Sequence, residues 1–375
     1  MTTKHRSVMK FSMIAAFAGA AAVGFTAAVE AQDYTMTIIP NSSGAYGIND
    51  SNTVVGIETN GSTPFSYNSG TTAAIGGASL LSPSFVNAIN SGGTIVGGSW
   101  SGVSQQAAVF GTNSVTFLGA AGSISQANAI NTTGEVAGNV QDTSGLNHAA
   151  FFSSSTPNQS ATIIDNVNSF GMGINDSGTI VGYQANSSSR FDAFSYSGGT
   201  LTDLGSFGVT GALGGYARSI NNSGTIAGYY VDSAGYSRAV DYSGGVATTL
   251  DSSGAYLNSR ANAINGTGIV VGTADNGGTT PVAFVYSSGV FTNLNNLVTN
   301  LPVGDQLISA NAINGNGDIV GFGGYTASGD VTYGFLLTPV TAGAAVPSPG
   351  SLGLLFGGAA GLGLILLAGR IQKRT

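Results

Sequence analysis

The sequence predicts an all-β protein: a seven-bladed β-propeller of four-stranded antiparallel blades, its ring closed by the N-terminal strand. Three observations predict it. The first is composition. The chain has 375 residues with 59 Gly, and charged residues make up only 7%, against about 25% in an average protein. Gly and Asn suit turns, and Val, Ile, Thr, Tyr and Phe suit strands. The second is a repeated phrase. "GINDSNTVVG", "AINSGGTIVG", "AINTTGEVAG", "GINDSGTIVG", "SINNSGTIAG", "AINGTGIVVG" and "AINGNGDIVG" align on Asn49, Asn90, Asn131, Asn175, Asn221, Asn265 and Asn314. Successive Asn are 41, 41, 44, 46, 44 and 49 residues apart, and a period in the forties with several strands per period is that of propeller blades. The third is a matching deficit at the two ends. The last repeat lacks a fourth strand, whereas "DYTMTIIP" at 33–40 is a strand with no repeat in front of it. The deficits cancel if the chain closes on itself, which also removes exposed sheet edges.

Residues 1–31 come first. "MTTKHRSVMK" is basic, the following stretch is apolar, and Val29 and Ala31 are small residues before Gln32. This is the pattern of a secretory signal peptide, a helical leader cleaved after Ala31. His5 would be lost with it, leaving His148.

Residues 32–341 hold the seven repeats. In residues 218–251, "RSIN", "TIAGYYVDS", "SRAVDYS" and "VATTLD" read as four strands separated by glycine turns, which is blade size. Gly224 suits a positive φ in the first turn. Alternation puts Phe194 with Tyr196, and Phe284 with Tyr286, on one face of the third strand, where they are expected to pack between blades. The Asn of each phrase is expected to hold its turn by hydrogen-bonding nearby backbone. The Gly seven residues later (Gly56, Gly97, Gly138, Gly182, Gly228, Gly272, Gly321) is expected where backbones crowd.

Residues 342–350 form a Pro/Gly/Ala linker with a Pro-x-Pro box, Pro347 and Pro349. Residues 351–375 follow. The stretch 351–369 carries no charge and as a helix would span roughly 28 Å, enough for one transmembrane pass. Gly353, Gly357 and Gly361 would form a small-residue ridge suited to close helix packing. Arg370, Lys373 and Arg374 place the end on the cytoplasmic side, so the repeats lie outside.

This tail resembles a PEP-CTERM sorting signal: a Pro-x-Pro box, an apolar helix and a basic end. The resemblance implies processing by an exosortase-like membrane enzyme, transfer to the cell surface and a link with exopolysaccharide. Ser348 stands where the family has Glu, so a plain membrane anchor remains an alternative. The repeats, over roughly residues 44–337, resemble the HAF family of extracellular repeats. The family's His-Ala-Phe element is kept loosely, as "HAAFF" at His148, with Asp192 and Arg238 in the corresponding place of other repeats. That family implies an extracellular address and no general activity.

Several functions are disfavoured. The span 32–369 carries 16 negative and four positive charges, all four of them Arg, the wrong sign for nucleic acid. There is no Cys, which excludes disulfides and thiolate chemistry. A Ser-His-Asp triad around His148 has no supporting motif. The acidic residues show no paired glycosidase pattern, and no Lys follows the glycine loops as phosphate binding requires. Asn314, Asn316 and Asp318 stand at alternate positions like the start of a calcium loop, but its sixth and twelfth places hold Ile319 and Tyr325, so they read as a turn. No cofactor or metal is expected. Trp100 could stack on a sugar but reads as packing. The expected function is non-enzymatic, structural or adhesive, at the bacterial cell surface or in its exopolysaccharide matrix. The alternative is a carbohydrate-binding or carbohydrate-active propeller with a site on one face. A coupled carboxylate pair at a channel mouth would favour an enzyme, an aromatic platform would favour binding, and a smooth Asn/Ser/Thr face would favour a structural role.

Overall fold

The computed structural model describes residues 32–77, 81–119, 123–157, 159–278, 281–325 and 332–340. These form seven four-stranded antiparallel sheets, six of them in simple sequence order. Consecutive innermost strands are neighbours, and the last meets the first, Asp305–Ile313 against Ser42–Ile48. The fold is a closed seven-bladed propeller.

Closure follows the matching strand deficit. Tyr34–Ile39 pairs antiparallel with Thr332–Pro339, from Tyr34 opposite Pro339 to Ile39 opposite Gly334. It is the outer strand of the seventh blade. Its free edge is covered as well. Tyr34 N–H donates to the Leu297 carbonyl and Thr299 N–H to the Tyr34 carbonyl. The Asn300 side chain accepts from Met36 N–H and donates to Met36 C=O, at 2.7 and 2.8 Å. The edge that would otherwise recruit another strand is thereby occupied.

The repeated phrase builds the inner hairpin of each blade. The turn Asn are 3–7% exposed. Each Oδ1 accepts from the backbone N–H four residues on, at 2.8–3.0 Å, as expected. The Nδ2 groups do something that no single repeat announces. Asn49 donates to the carbonyl of Asn90, Asn90 to Asn131, Asn131 to Asn175, Asn175 to Asn221, Asn221 to Asn265, Asn265 to Asn314, and Asn314 back to Asn49, at 2.9–3.3 Å. The phrase is repeated because its Asn form a continuous belt around the channel. Three residues after each Asn the backbone has positive φ. Six repeats place Gly there and the first places Asn52, φ 56°, the side chain that best tolerates this region.

The glycine seven residues after each turn Asn sits where expected. A Cβ on Gly138, Gly228 or Gly321 would overlap the carbonyl oxygen of Gln126, Tyr216 or Ser309 on the adjoining strand. The same bare position lets a third-strand ring lie over the second strand, as Phe194 does on Gly182 and Phe284 on Gly272. Both rings are fully buried, and they pack against the preceding blade, Phe194 with Ala137 and Ala149, Phe284 with Ala227 and Ala239. Tyr196 and Tyr286 share these clusters half-buried.

In the fifth blade the first strand begins at Gly214, four residues before the stretch read from sequence, and the others are Ile226–Val231, Ser237–Ser243 and Val246–Thr249. "GGYA" at 214–217 lacks strand formers; its extended form is imposed by the neighbouring strand. The signal segment 1–31, the linker 342–350 and the span 351–375, with Pro347, Pro349, Arg370, Lys373 and Arg374, lie outside the described residues. Among the described residues no helix is long and apolar enough to cross a membrane.

Candidate functional site

The innermost strand of every blade carries a β-bulge, and the residue skipped by the pairing lies three before the turn Asn. These residues are Tyr46, Asn87, Asn128, Met172, Arg218, Asn262 and Asn311, and all line a cup of about 360 Å³ in the channel. A bulge re-aims its extra side chain, here toward the axis. The four Asn each donate to the next blade's backbone: to the carbonyls of Ala127, Gly171, Ala310 and Ala45, at 2.8–2.9 Å. Tyr46, Met172 and Arg218 interrupt this pattern. Deeper, the lining includes the seven Ile that precede the turn Asn, from Ile48 to Ile313.

An aromatic cluster of the fourth and fifth blades adjoins the cup at Arg218. Phe170 and Tyr183 are paired on the two inner strands of the fourth blade, and Tyr216 and Tyr229 on those of the fifth. Phe191 lies between them, 5.3 Å from Tyr183 and 5.9 Å from Tyr216. Tyr183 and Tyr216 are 5.1 Å apart, and Tyr216 stacks on Tyr229 at 4.6 Å and 11°. These distances join the five rings into one continuous aromatic arc, and all five residues are half-buried. The Arg260 guanidinium lies 5.5 Å from the Tyr229 centroid, and Arg218 hydrogen-bonds Tyr229. Burial pushes the Tyr183, Tyr216 and Tyr229 phenols up, against the pull of these guanidinium groups.

No bulge position holds a carboxylate. Carboxylates do occur at the hairpin-turn end, where they are tied to neighbouring blades. Asp50 accepts from Gly315 N–H at 2.7 Å. Asp176 accepts from the Thr132 N–H and hydroxyl and from the Asn222 amide. Burial opposes the Asp176 charge, but these hydrogen bonds prevail and hold its carboxyl below the ordinary value.

The other residues singled out in the sequence fall elsewhere. His148 lies in the third strand of the third blade, Asn147–Ser153, with Nε2 3.1 Å from Asp142. The nearby Ser169 hydroxyl donates to Asp165 and accepts from Ala149 N–H, so it serves strand packing and no Ser-His-Asp order is assembled there. Asn314 Oδ1 accepts from the amides of Asn316 and Asp318, and its Nδ2 donates to Asn49 and Asp318; this segment is a belt turn. Trp100 is 37% exposed at the end of its strand, away from the cup lining. The aromatic arc went unread in the sequence. Its signal was available: the places five before and eight after the turn Asn are both aromatic in two adjacent repeats, Phe170 with Tyr183 and Tyr216 with Tyr229.

Fold and site together define the class: a closed seven-bladed propeller whose channel holds a cup with a largely amide-lined wall, adjoined at Arg218 by an aromatic arc. No protein-family model matches the chain, and no curated protein matches it. Solved propeller structures are similar to it at low identity. Virginiamycin B lyase from Staphylococcus aureus is 10% identical, with 82% of this chain and 100% of that chain covered and a TM-score of 0.47. A gluconolactonase from Xanthomonas campestris is 10% identical, covering 83% and 96%, with a TM-score of 0.40. The Aleuria aurantia lectin is 13% identical, covering 84% and 99%, with a TM-score of 0.37. Enzymes and a lectin appear side by side, and none of them assigns an activity to this chain.

Proposed function

We propose that the protein is a non-enzymatic, carbohydrate-binding propeller with an adhesive role at the bacterial cell surface or in its exopolysaccharide matrix. The observation that carries this reading is the aromatic arc beside the cup. Tyr rings offer apolar faces to the C–H side of a sugar ring and hydroxyls to its polar edge. The bulge-position Asn supply amide donors and acceptors at the wall. The cup volume of about 360 Å³ suits a small ligand or one unit of a polymer; such sites run from roughly 300 to 1,000 Å³. Export through residues 1–31 and retention or processing through Pro347, Pro349, Arg370, Lys373 and Arg374 complete the proposal. An exosortase-like enzyme is the partner in the membrane, and a mature chain still ending at Thr375 by intact mass removes that enzyme from the reading.

Glycan-array binding of the protein and of Tyr216→Ala tests the site. Loss of a bound glycan in the variant, with an unchanged melting temperature, is the expected result. Failure of the protein to bind any glycan overturns the carbohydrate reading and leaves a structural role. The enzymatic alternative lacks a carboxylate at any bulge position.

A further inference from the structure

We infer that the cup takes a carboxylated sugar unit, a uronic acid, and that Arg218 and Arg260 receive its carboxylate. This inference rests on the carbohydrate reading above and adds the charge of the ligand. Between residues 32 and 369 there are 16 acidic residues and four Arg. Two of those four Arg lie against Tyr229, and one of them, Arg218, lines the cup. Arg238, by contrast, is neutralised by Asp232 at 2.8 Å. Among the described residues Arg218 and Arg260 enter no ion pair; the pairs found are His148–Asp142 and Arg238–Asp232.

The fold does not ask for Arg at position 218. Four other blades place Asn at the same bulge, and each clips the next blade through its amide. Arg218 gives up that clip and sets a half-buried guanidinium against the cup. Partial burial of a charge without a counter-ion is costly, and a protein with this many carboxylates has partners to offer. Without a carboxylate partner this Arg keeps the donors not used by Tyr229 for an incoming anion. Guanidinium is planar and matches the two oxygens of a carboxylate. The stack on Tyr229 and the hydrogen bond from Arg260 Nε to Ser237 hold the second guanidinium in place. The aromatic arc next to both Arg is what a bare anion does not need and a sugar ring does. The net negative charge of the rest of the surface repels dense polyanions, so an isolated or terminal uronate unit is favoured over a continuous polyuronate.

Calorimetric titration of the full-length protein decides the point. The probes are a glucuronate-containing oligosaccharide, its counterpart with the carboxylate reduced to the alcohol, and inorganic phosphate. The uronate form is expected to bind about tenfold or more tightly than the reduced form, the size of a charge-assisted hydrogen bond. Arg218→Gln should erase that preference while retaining the weaker binding of the reduced sugar. Arg260→Gln, at an exposed position, should reduce the preference and serves if the first variant melts early. Equal binding of both sugars, unchanged in the two variants, overturns the assignment of charge and leaves carbohydrate binding intact. Binding of neither sugar by a folded protein overturns both. Phosphate bound as tightly as the uronate sugar also overturns the inference, because it marks a general anion site.

Discussion

Two levels of the channel lie three residues apart on every innermost strand and behave oppositely. At the turn level all seven positions are Asn, all are buried, and all donate to the next blade. At the bulge level the backbone does the same thing seven times, yet the side chains are Tyr, Asn, Asn, Met, Arg, Asn and Asn. A buried amide between two blades leaves unsatisfied partners behind if it is changed, so geometry fixes its identity. At the bulge level only the four Asn make such a clip, and the ring closes without it at Tyr46, Met172 and Arg218. The contrast separates positions that every blade needs to hold the ring together from Tyr46, Met172 and Arg218, which are free to meet a ligand.

The strongest test of this division concerns the crowded glycines that keep the frame uniform. Gly228→Ala would place a Cβ on the Tyr216 carbonyl oxygen and against Ala217. Neither is a movable side-chain tip, so a loss of about 3 kcal/mol or more is expected, read as a fall in melting temperature. Gly266→Ala is the control. Its φ is not positive and nothing lies within 4 Å of the added carbon, so its change should stay within roughly 0.5 kcal/mol.

Next in size is a direct comparison of the two levels within one strand. Asn175→Ala removes a donor to Asn221 and an acceptor for the amides of Ser177 and Thr179, and should cost about 2–3 kcal/mol in chemical denaturation. Met172→Ala, three residues earlier in the cup wall, should cost less than about 1 kcal/mol because it lines open space. Equal costs would show that the bulge level is structural too.

The smallest effect concerns the outer closure. Burial, with a lesser contribution from Asp318, pushes the Tyr34 phenol from 10.0 up to about 12. The folded state therefore holds this proton more tightly than the unfolded chain. Its stabilising contribution is complete below pH 10 and is lost as pH rises toward 12. A loss of roughly 1 kcal/mol is expected at pH 11. Tyr34→Phe should flatten that part of the stability–pH curve, and an unchanged slope in the variant would assign the alkaline loss to other tyrosines.

Much of the architecture can be read along the chain because its causes are local. Seven copies of a turn phrase give seven inner hairpins, and strand-sized segments between them give the remaining strands. Even closure was legible, because an unmatched strand at 33–40 faces a missing one after 332–339. The start of the strand at Gly214 was not legible, since its extended form comes from pairing with Ile226–Val231 and not from the propensity of "GGYA".

The sequence by itself determined the repeat, the turn chemistry, the glycine positions and the sign of the surface charge, because each depends on residues within one hairpin or on simple composition. Only the tertiary structure decided what those residues do together. The Asn belt joins residues 41 to 49 apart, and its final bond joins Asn314 to Asn49. The aromatic arc gathers Phe170, Tyr183, Phe191, Tyr216 and Tyr229 from two blades, and two Arg from adjacent blades contact one of its rings, Tyr229. Each of these side chains is an ordinary strand residue in its own repeat. Ring closure brings equivalent positions around one axis, and that is where single residues become a belt and a binding surface.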